Sequence, residues 1–362
     1  MTMSTDFLVN RKDLHQTKVV ETTLPPLAPG QTLIKIDQFA FTANNVTYGA
    51  FGDMMMYWNF FPAPQGWGRI PVWGFGEVIE SNVEGLKTGE RLYGYFPMST
   101  HVVVEPTRLS PHGFTDGAAH RQKMAAVYNN YQRTSADASY DQKREAEQAL
   151  LRPLFMTSFF IDDFLADSDF YGAREVVLSS ASSKTALSLA FLLQANRRGQ
   201  VSVVGLTSNA NAAFVAQTKY YDRIITYDAI AQSLNDTTAV YVDMAGSSQI
   251  RASVHKLWND KLKYSCSVGA THWDQLAQGA SLPGPKPSRF FAPDQIKKRA
   301  MEWGPAGMER RVNDTWTKFI PSVDRWMKIV KGQGPADVER VYHEMLNGKA
   351  QPAQGHMLSV KA

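Results

Sequence analysis

The fold is decided by residues 174–243, which read REVVLSSASSKTALSLAFLLQANRRGQVSVVGLTSNANAAFVAQTKYYDRIITYDAIAQSLNDTTAVYVD. Short apolar runs rich in β-branched residues occur at 175–178, 201–206, 223–227 and 239–243. They alternate with segments of helical character, the first of which, 186–193, is almost entirely apolar. Strands that alternate with helices predict a parallel sheet with right-handed crossovers.

The carboxyl ends of these strands predict a ligand site, because open parallel sheets bind ligands at that edge. We interpret the edge as the site of a nucleotide cofactor. The residues assigned to it are Ser182, Ser183, Lys184, Thr185, Thr207, Ser208, Asn211, Tyr227, Ala245, Gly246, Gly269 and Thr271.

The turn after the first strand lacks the glycines of a dinucleotide fingerprint, which has the pattern G-x-G-x-x-G. Residues 179–185 read SSASSKT instead. Ser182 or Ser183 can cap the helix, whose free N–H groups could receive a pyrophosphate, and Lys184 could add charge. An ordinary capped helix that binds nothing is the equally weighted alternative. A Walker A loop is excluded, because Leu178 and Ser183 stand where it needs glycine.

Length and composition indicate a globular protein of two domains, with 362 residues, 44% hydrophobic and 20% charged. The net charge of +4 is spread out, and no basic run predicts nucleic-acid binding. One cysteine, Cys266, excludes an intrachain disulfide and a cysteine-rich zinc site. With no signal peptide and no apolar run of about 18 residues, we expect a cytoplasmic protein without a membrane partner.

The first 110 residues differ from the middle of the chain. Short strands are predicted at 32–36, 72–79, 91–95 and 101–104, which together indicate a small irregular β-barrel. Residues 132–147 are strongly polar and predict a solvated helix that connects the domains. Farther along, an apolar helix is expected at 151–165, and the end of the chain predicts a helix at 336–346 and a strand at 356–360.

Several stretches carry a family resemblance: QTLIKI (31–36), FTANNVTY (41–48), PVWGFGEVI (71–79), GERLYG (89–94) and DMAG (243–246). On these residues the chain resembles the medium-chain dehydrogenase/reductases, of the zinc-free quinone-oxidoreductase-like kind. More narrowly, LSSASSKTA (178–186) with YWNFFP (57–62) resembles a divergent subgroup known mainly as a domain of unknown function.

The resemblance implies an α/β protein with a GroES-like β-barrel catalytic domain and a Rossmann domain, whose parallel sheet is doubly wound. The barrel domain is expected at 1–125 and 311–362, a polar connector at 126–150, and the Rossmann domain at 151–310. A homodimer is left open, since the sequence does not determine the oligomeric state. No metal is expected: His101, His112 and His120 lack ligand spacing, and His343 has Asn347 where a second ligand would stand.

The cofactor expected is NADPH. Sites that prefer NAD place an acid at the end of the second strand, on the ribose 2′-hydroxyl. Here residues 206–211 read LTSNAN, and no acid occurs before Asp222. Hydroxyl and amide donors in this stretch could bind a 2′-phosphate. The resemblance also implies that Tyr227 lies near that phosphate, although a strand-end residue covering the sheet is the alternative.

Without zinc, reduction of a carbonyl or conjugated enone needs a donor to the developing oxyanion. Tyr48 and Tyr57 are the candidates, and Asn44 could orient the nicotinamide amide; both tyrosines could equally be core residues. The aromatic residues of this segment and the methionines at 54–56 would line an adaptable apolar pocket. We therefore expect reduction of a hydrophobic ketone, enone or quinone. A lyase or isomerase, or a non-catalytic cofactor-binding protein, are the alternatives on the same fold.

Overall fold

The computed structural model describes residues 2–233, 236–268 and 282–361. The chain forms two compact units: Met1–Leu150 together with Lys328–Ala362, and Leu151–Met327. The sequence placed the return to the first unit at residue 311, whereas the structure places it at Lys328. The physical reason is that residue 311 lies inside a long helix of the second unit, Ala292–Val323.

The first unit is built mainly from strands. They are β1 (Met3–Asn10), β2 (Thr17–Thr23), β3 (Thr32–Phe41), β4 (Trp67–Gly68), β5 (Pro71–Ser81), β6 (Arg91–Pro97), β7 (His101–Val104), β8 (Pro106–Ser110), β9 (Gly113–Asp116), β10 (Asn130–Arg133), β17 (Lys328–Gln333) and β18 (Gln354–Ser359). Its helices are α1 (Ala43–Ala50) and α7 (Gly334–Leu346). The helix α2 (Glu145–Asp167) begins in this unit and continues into the second.

The large sheet of the first unit has the order β17-β18-β3-β5-β6-β10-β9-β8, with β7 paired to β3. A smaller sheet has the order β2-β1-β4. The amphipathic helix α7 buries Val338, Val341, Tyr342 and Met345, which recur at helical spacing. The ring of Tyr342 packs against Phe7 and Phe41, with centroids 5.6 and 5.9 Å away.

The polar segment 126–150 is not a separate connector helix. Its strand β10 pairs with β6 and β9 in the large sheet, and the whole segment lies in the first unit. Asp141 caps a short 3₁₀ helix, Gln142–Arg144, and α2 follows directly. The charges are used within the fold: Glu145 accepts a bidentate pair from Arg91. Sequence polarity alone did not reveal these partners, which come from distant strands.

The second unit alternates strands and helices. They are β11 (Glu175–Leu178), α3 (Lys184–Asn196), β12 (Ser202–Thr207), α4 (Asn209–Thr218), β13 (Arg223–Thr226), β14 (Ala239–Asp243), α5 (Ser248–Trp258), β15 (Leu262–Ser267), β16 (Ser288–Arg289) and α6 (Ala292–Val323). Each predicted strand of residues 174–243 is present within one residue of its expected bounds. Cys266 is buried in β15, where burial raises the pKa of its thiol to about 12.

The sheet of the second unit is parallel throughout, with the order β13-β12-β11-β14-β15-β16. Numbered along the chain from β11, this is the order 3-2-1-4-5-6 of a doubly wound dinucleotide-binding fold. Val177, Leu206 and Tyr241 from three strands share one buried cluster with Trp258 of α5. The order reverses between β11 and β14, and that reversal defines where a ligand site is expected.

Candidate functional site

Ser179 joins the carboxyl ends of β11 and β14, at the point where the strand order reverses. Its hydroxyl donates to Asp243 Oδ1 at 3.0 Å and accepts the N–H groups of Met244 and Ala245, each at 3.0 Å. Ser179 and Asp243 are both buried. Since the partners are removed from water, loss of any of these bonds would leave an unsatisfied polar group.

The turn after β14 is braced by the same carboxylate. Asp243 Oδ1 accepts the N–H of Gly246 at 2.9 Å, and Oδ2 accepts Arg251 Nε of α5 at 2.9 Å. Ala245 and Gly246, two of the residues assigned to cofactor binding, therefore lie at the expected edge. Their N–H groups are bound within the turn, to Ser179 and Asp243.

The turn after β11 adopts a glycine-type conformation without a glycine. Ser180 has φ of +51°, in the left-handed region that favours glycine. Ser183 is the cap of α3, since its hydroxyl accepts the N–H of Ala186 at 3.2 Å. Ser182 instead accepts Asn211 Nδ2 at 3.1 Å. The sequence left Ser182 and Ser183 as alternative caps of α3, and the structure shows that Ser183 is the cap.

The first turn of α3 places a cation at a helix N-terminus. The first N–H groups of a helix have no partner within it, and the helix dipole is positive there. Lys184 is the first residue of α3 and Thr185 the second. Burial lowers the pKa of Lys184 to about 8. The helix dipole would favour an anion bound beside this ammonium.

Tyr227 and the end of β12 lie beside this turn. The Tyr227 hydroxyl accepts the N–H of Ser180 at 2.9 Å, and partial burial raises the pKa of this phenol. Thr207, at the end of β12, is almost fully buried, and Ser208 occupies the cap position of α4. The remaining assigned residues, Gly269 and Thr271, lie outside the described residues.

Asp228 is a residue at this edge that the sequence reasoning missed. Its Oδ2 accepts Asn209 Nδ2 at 2.9 Å, and hydrogen bonds from Thr226 and Asn209 lower the pKa of its carboxyl. The parallel pairing of Thr207 with Thr226 brings the ends of β12 and β13 side by side. The sequence search covered only the residues directly after the second strand, β12. It therefore could not reveal a carboxylate that follows the third strand, β13.

Asp222, the first acid after the second strand, lies at the other end of that strand. Its Oδ2 accepts the N–H of Val203 at 2.7 Å and Gln194 Nε2 at 2.7 Å. Val203 stands near the amino end of β12, so Asp222 is not at the carboxyl edge.

In the first unit, Asn44, Tyr48 and Tyr57 lie together. Asn44 and Tyr48 are four residues apart on α1, and Asn44 Nδ2 donates to the Tyr48 hydroxyl at 2.7 Å. The rings of Tyr48 and Tyr57 have centroids 4.4 Å apart. Burial raises the pKa of Tyr48 well above its ordinary value, so this phenol keeps its proton throughout the physiological range.

Two further tyrosines complete this cluster, and sequence reasoning missed both. Tyr95, from β6, is fully buried with its ring centroid 6.0 Å from that of Tyr48. Tyr128, from a 3₁₀ helix, lies 6.2 Å from Tyr57 and 4.9 Å from Tyr95. Buried Arg121 donates to the Tyr128 carbonyl at 2.6 Å and thereby anchors that helix. More than 70 residues separate Tyr48 from Tyr128, and no local pattern connects them.

Trp58 anchors the segment that carries Tyr57. The indole is seated against Gly52 and Gly68, where an added Cβ would come within 2.2 and 2.3 Å of the ring. No other residue fits at either position without moving the tryptophan. The methionines of the same segment divide: Met55 packs on the core, whereas Met54 and Met56 are 56% and 41% exposed.

Metal ligands are not gathered anywhere in the part of the chain that the structure describes: it contains no group of three or more His, Cys, Asp or Glu side chains able to hold an ion. Within the same described ranges, no helix is long and apolar enough to cross a membrane.

Family comparison assigns the chain. Residues 39–351 match the model of a family described as "Protein of unknown function (DUF2855)". The chain belongs to this family. The expectation of a divergent subgroup known mainly as a domain of unknown function is thereby confirmed. Among curated proteins none matches this sequence.

Several solved structures share the fold of this chain. CurA from Vibrio vulnificus, in complex with NADPH, has a TM-score of 0.63 at 12% identity, with 99% of each chain covered. A quinone oxidoreductase from Coxiella burnetii has a TM-score of 0.56 at 13% sequence identity. A mutant form of an enoyl thioester reductase from Candida tropicalis has a TM-score of 0.58 at 10% sequence identity. Both cover 99% of this chain and 100% of the other. Identities this low show the fold alone. They confirm the predicted α/β fold of this DUF2855 protein, in which one unit contains a parallel sheet.

Proposed function

We propose that this protein is an NADPH-dependent oxidoreductase that reduces a hydrophobic ketone, enone or quinone by hydride transfer, without zinc. The observation that carries the proposal is the edge of the parallel sheet at β11 and β14. There Ser179 fixes the two strand ends, and α3 begins with Lys184 at its positive end. Doubly wound sheets bind nucleotides at this reversal of strand order.

The residues at this edge fit a dinucleotide. Small side chains, from Ser179 to Ser183, would permit a nucleotide to approach the turn closely, and Ser180 takes the backbone conformation that glycine otherwise supplies. The first N–H groups of α3, with Lys184, would hold the pyrophosphate. Amide donors from Asn209 and Asn211 stand at the end of the second strand and would bind a 2′-phosphate. CurA, which shares the fold, is described in complex with NADPH.

The tyrosines supply the polar chemistry of the reduction. NADPH, when bound, supplies the hydride. The Tyr48 phenol is neutral, buried and oriented by Asn44, so it can donate its proton to a developing oxyanion. With Asn44 Nδ2 directed to Tyr48, its Oδ1 remains as an acceptor for a carboxamide N–H of the nicotinamide. Tyr57, whose ring is tilted by 32° against that of Tyr48, is the second candidate donor.

The substrate class follows from the side chains around these hydroxyls. Phe60 and Tyr128 pack against Tyr57. Tyr95 packs against Phe60, and Trp73 packs against Tyr95 with ring centroids 5.0 Å apart. Exposed Met54 and Met56 add flexible apolar surface beside them. Aromatic and thioether groups favour an apolar carbonyl compound over a sugar or a phosphate ester.

The test is a fluorescence titration of the purified protein with NADPH, followed by absorbance assays of NADPH consumption with a panel of enones, quinones and apolar ketones. Saturable binding with consumption by at least one acceptor supports the proposal. Binding without consumption by any acceptor would favour a lyase, an isomerase or a cofactor-binding protein. A chain that binds neither NADPH nor NADH would contradict the proposal entirely.

A further inference from the structure

A carboxylate lies at the end of the second strand of the parallel sheet, although the sequence of that stretch contains no acid. Asp228 follows β13, and its side chain is exposed. It binds Asn209, the first residue of α4, through Oδ2 at 2.9 Å. This hydrogen bond and the register between β12 and β13 place the Asp228 carboxylate beside the start of α4, although Asp228 itself follows β13.

This placement matters for the ribose of a dinucleotide. In doubly wound folds, an acid at the end of the second strand binds the ribose 2′-hydroxyl and repels a 2′-phosphate. Here that carboxylate is supplied by the neighbouring strand. Residues 206–211, LTSNAN, contain no Lys or Arg to offset it. The amides of Asn209 and Asn211 favour a phosphate, while Asp228 opposes it.

We infer that Asp228 is a specificity-determining residue. Its charge weakens binding of a 2′-phosphorylated nucleotide and so reduces the preference for NADPH over NADH. The inference rests on the proposed function, because it concerns the same nucleotide site. The inference goes beyond the proposed function because it names a group that affects the choice between NADPH and NADH.

The experiment compares Asp228→Asn with the wild type and with a matched control, Asp260→Asn. The amide keeps an oxygen that can accept from Asn209, so the local hydrogen bond survives while the charge is lost. Asp260 is also exposed, but it lies just before β15, at the amino end of the sheet. Both variants change the net charge equally, and melting temperatures confirm that each is folded.

Dissociation constants are measured by fluorescence titration for NADPH and NADH, and by calorimetry for two fragments, adenosine 2′,5′-bisphosphate and adenosine 5′-monophosphate. We expect Asp228→Asn to bind NADPH and the bisphosphate about fivefold more tightly, with NADH and the monophosphate changed less than about twofold. The gain should shrink in about 1 M salt, where the Debye length falls to about 3 Å. Asp260→Asn should match the wild type.

Binding of both dinucleotides with discrimination unchanged in Asp228→Asn would overturn this inference and leave the proposed function intact. An equal gain in Asp260→Asn would also overturn it, because net charge alone would then explain the effect. A wild-type chain that binds neither dinucleotide nor fragment would overturn the proposed function, and this inference with it.

Discussion

The hydroxyl of Ser179 donates to Oδ1 of Asp243 at 3.0 Å, and this buried bond ties the carboxyl ends of β11 and β14 together. The same hydroxyl accepts two backbone N–H groups of the turn after β14. One small side chain thereby shapes both loops at the edge where a nucleotide is proposed to bind. The Ser179 side chain is small, and its hydroxyl makes contacts that a glycine at this position could not make.

Replacing Ser179 with Ala should destabilise the protein. The carboxylate of Asp243 would lose a donor, and the N–H groups of Met244 and Ala245 would lose their acceptor. We expect the free energy of unfolding to fall by about 1–3 kcal/mol, as for other unsatisfied buried groups. Urea denaturation provides the measurement. Ser182→Ala is the control: that side chain is half-buried, accepts from Asn211, and should change stability by less than about 0.5 kcal/mol. Equal stability of the two variants would contradict the bracing role of Ser179.

NADPH affinity should fall as the pH rises through about 8, the value to which burial lowers the pKa of Lys184. The protonated ammonium attracts the pyrophosphate, and the neutral amine does not. Well below this pKa the free protein already carries the charge, so affinity should be flat up to about pH 7. Above it, a proton must be taken up on binding, and affinity should fall by up to about tenfold per pH unit.

Dissociation constants measured across this range for Lys184→Ala should show weaker binding and no decline above pH 8. Lys256→Ala, which removes an exposed lysine of α5, should keep the wild-type profile. A decline that persists in Lys184→Ala would assign the titration to another group.

Removing the hydroxyl that stabilises the oxyanion should slow turnover without weakening NADPH binding. Replacing with Phe whichever of Tyr48 and Tyr57 donates to the oxyanion should raise the activation barrier by about 2.7–4 kcal/mol. Turnover should then fall on the order of a hundred- to a thousandfold. Turnover is measured with an acceptor found active in the panel, and NADPH affinity by fluorescence. Tyr171→Phe, a half-exposed tyrosine of the second unit, should leave both unchanged. If Tyr48→Phe and Tyr57→Phe both retain full turnover, the proton donor lies elsewhere.

Activity should not depend on a metal ion. Prolonged treatment with a chelator is expected to leave the melting temperature and turnover unaltered, since the described residues contain no cluster of metal-ligating side chains. Elemental analysis of the untagged protein serves as the independent measurement. One zinc per chain would refute the expectation of a zinc-independent reductase.

The architecture could be predicted because local sequence patterns determine where most of its strands and helices form. Apolar runs of strand length alternate with helical segments over residues 174–243, and in such a sequence each element buries one face against its neighbours. The short strands of the first 110 residues likewise appear where expected, at β3, β5, β6 and β7. The strands β2 and β17 were not predicted, since their partly exposed residues show little apolar periodicity. The strand β1 was also not predicted, although most of its residues are buried, because two of those buried residues, Ser4 and Asp6, are polar.

The composition of the site was decided by tertiary structure. Sequence alone identified Tyr48 and Tyr57, which lie in one segment, but not Tyr95 or Tyr128, which join them through sheet pairing and the anchor at Arg121. Likewise it predicted a second strand without an acid, yet the register of β12 with β13 places Asp228 against Asn209. Sequence determines which groups are present along one element. Which groups meet depends on strand order and register, and these are set by the packing of the whole sheet.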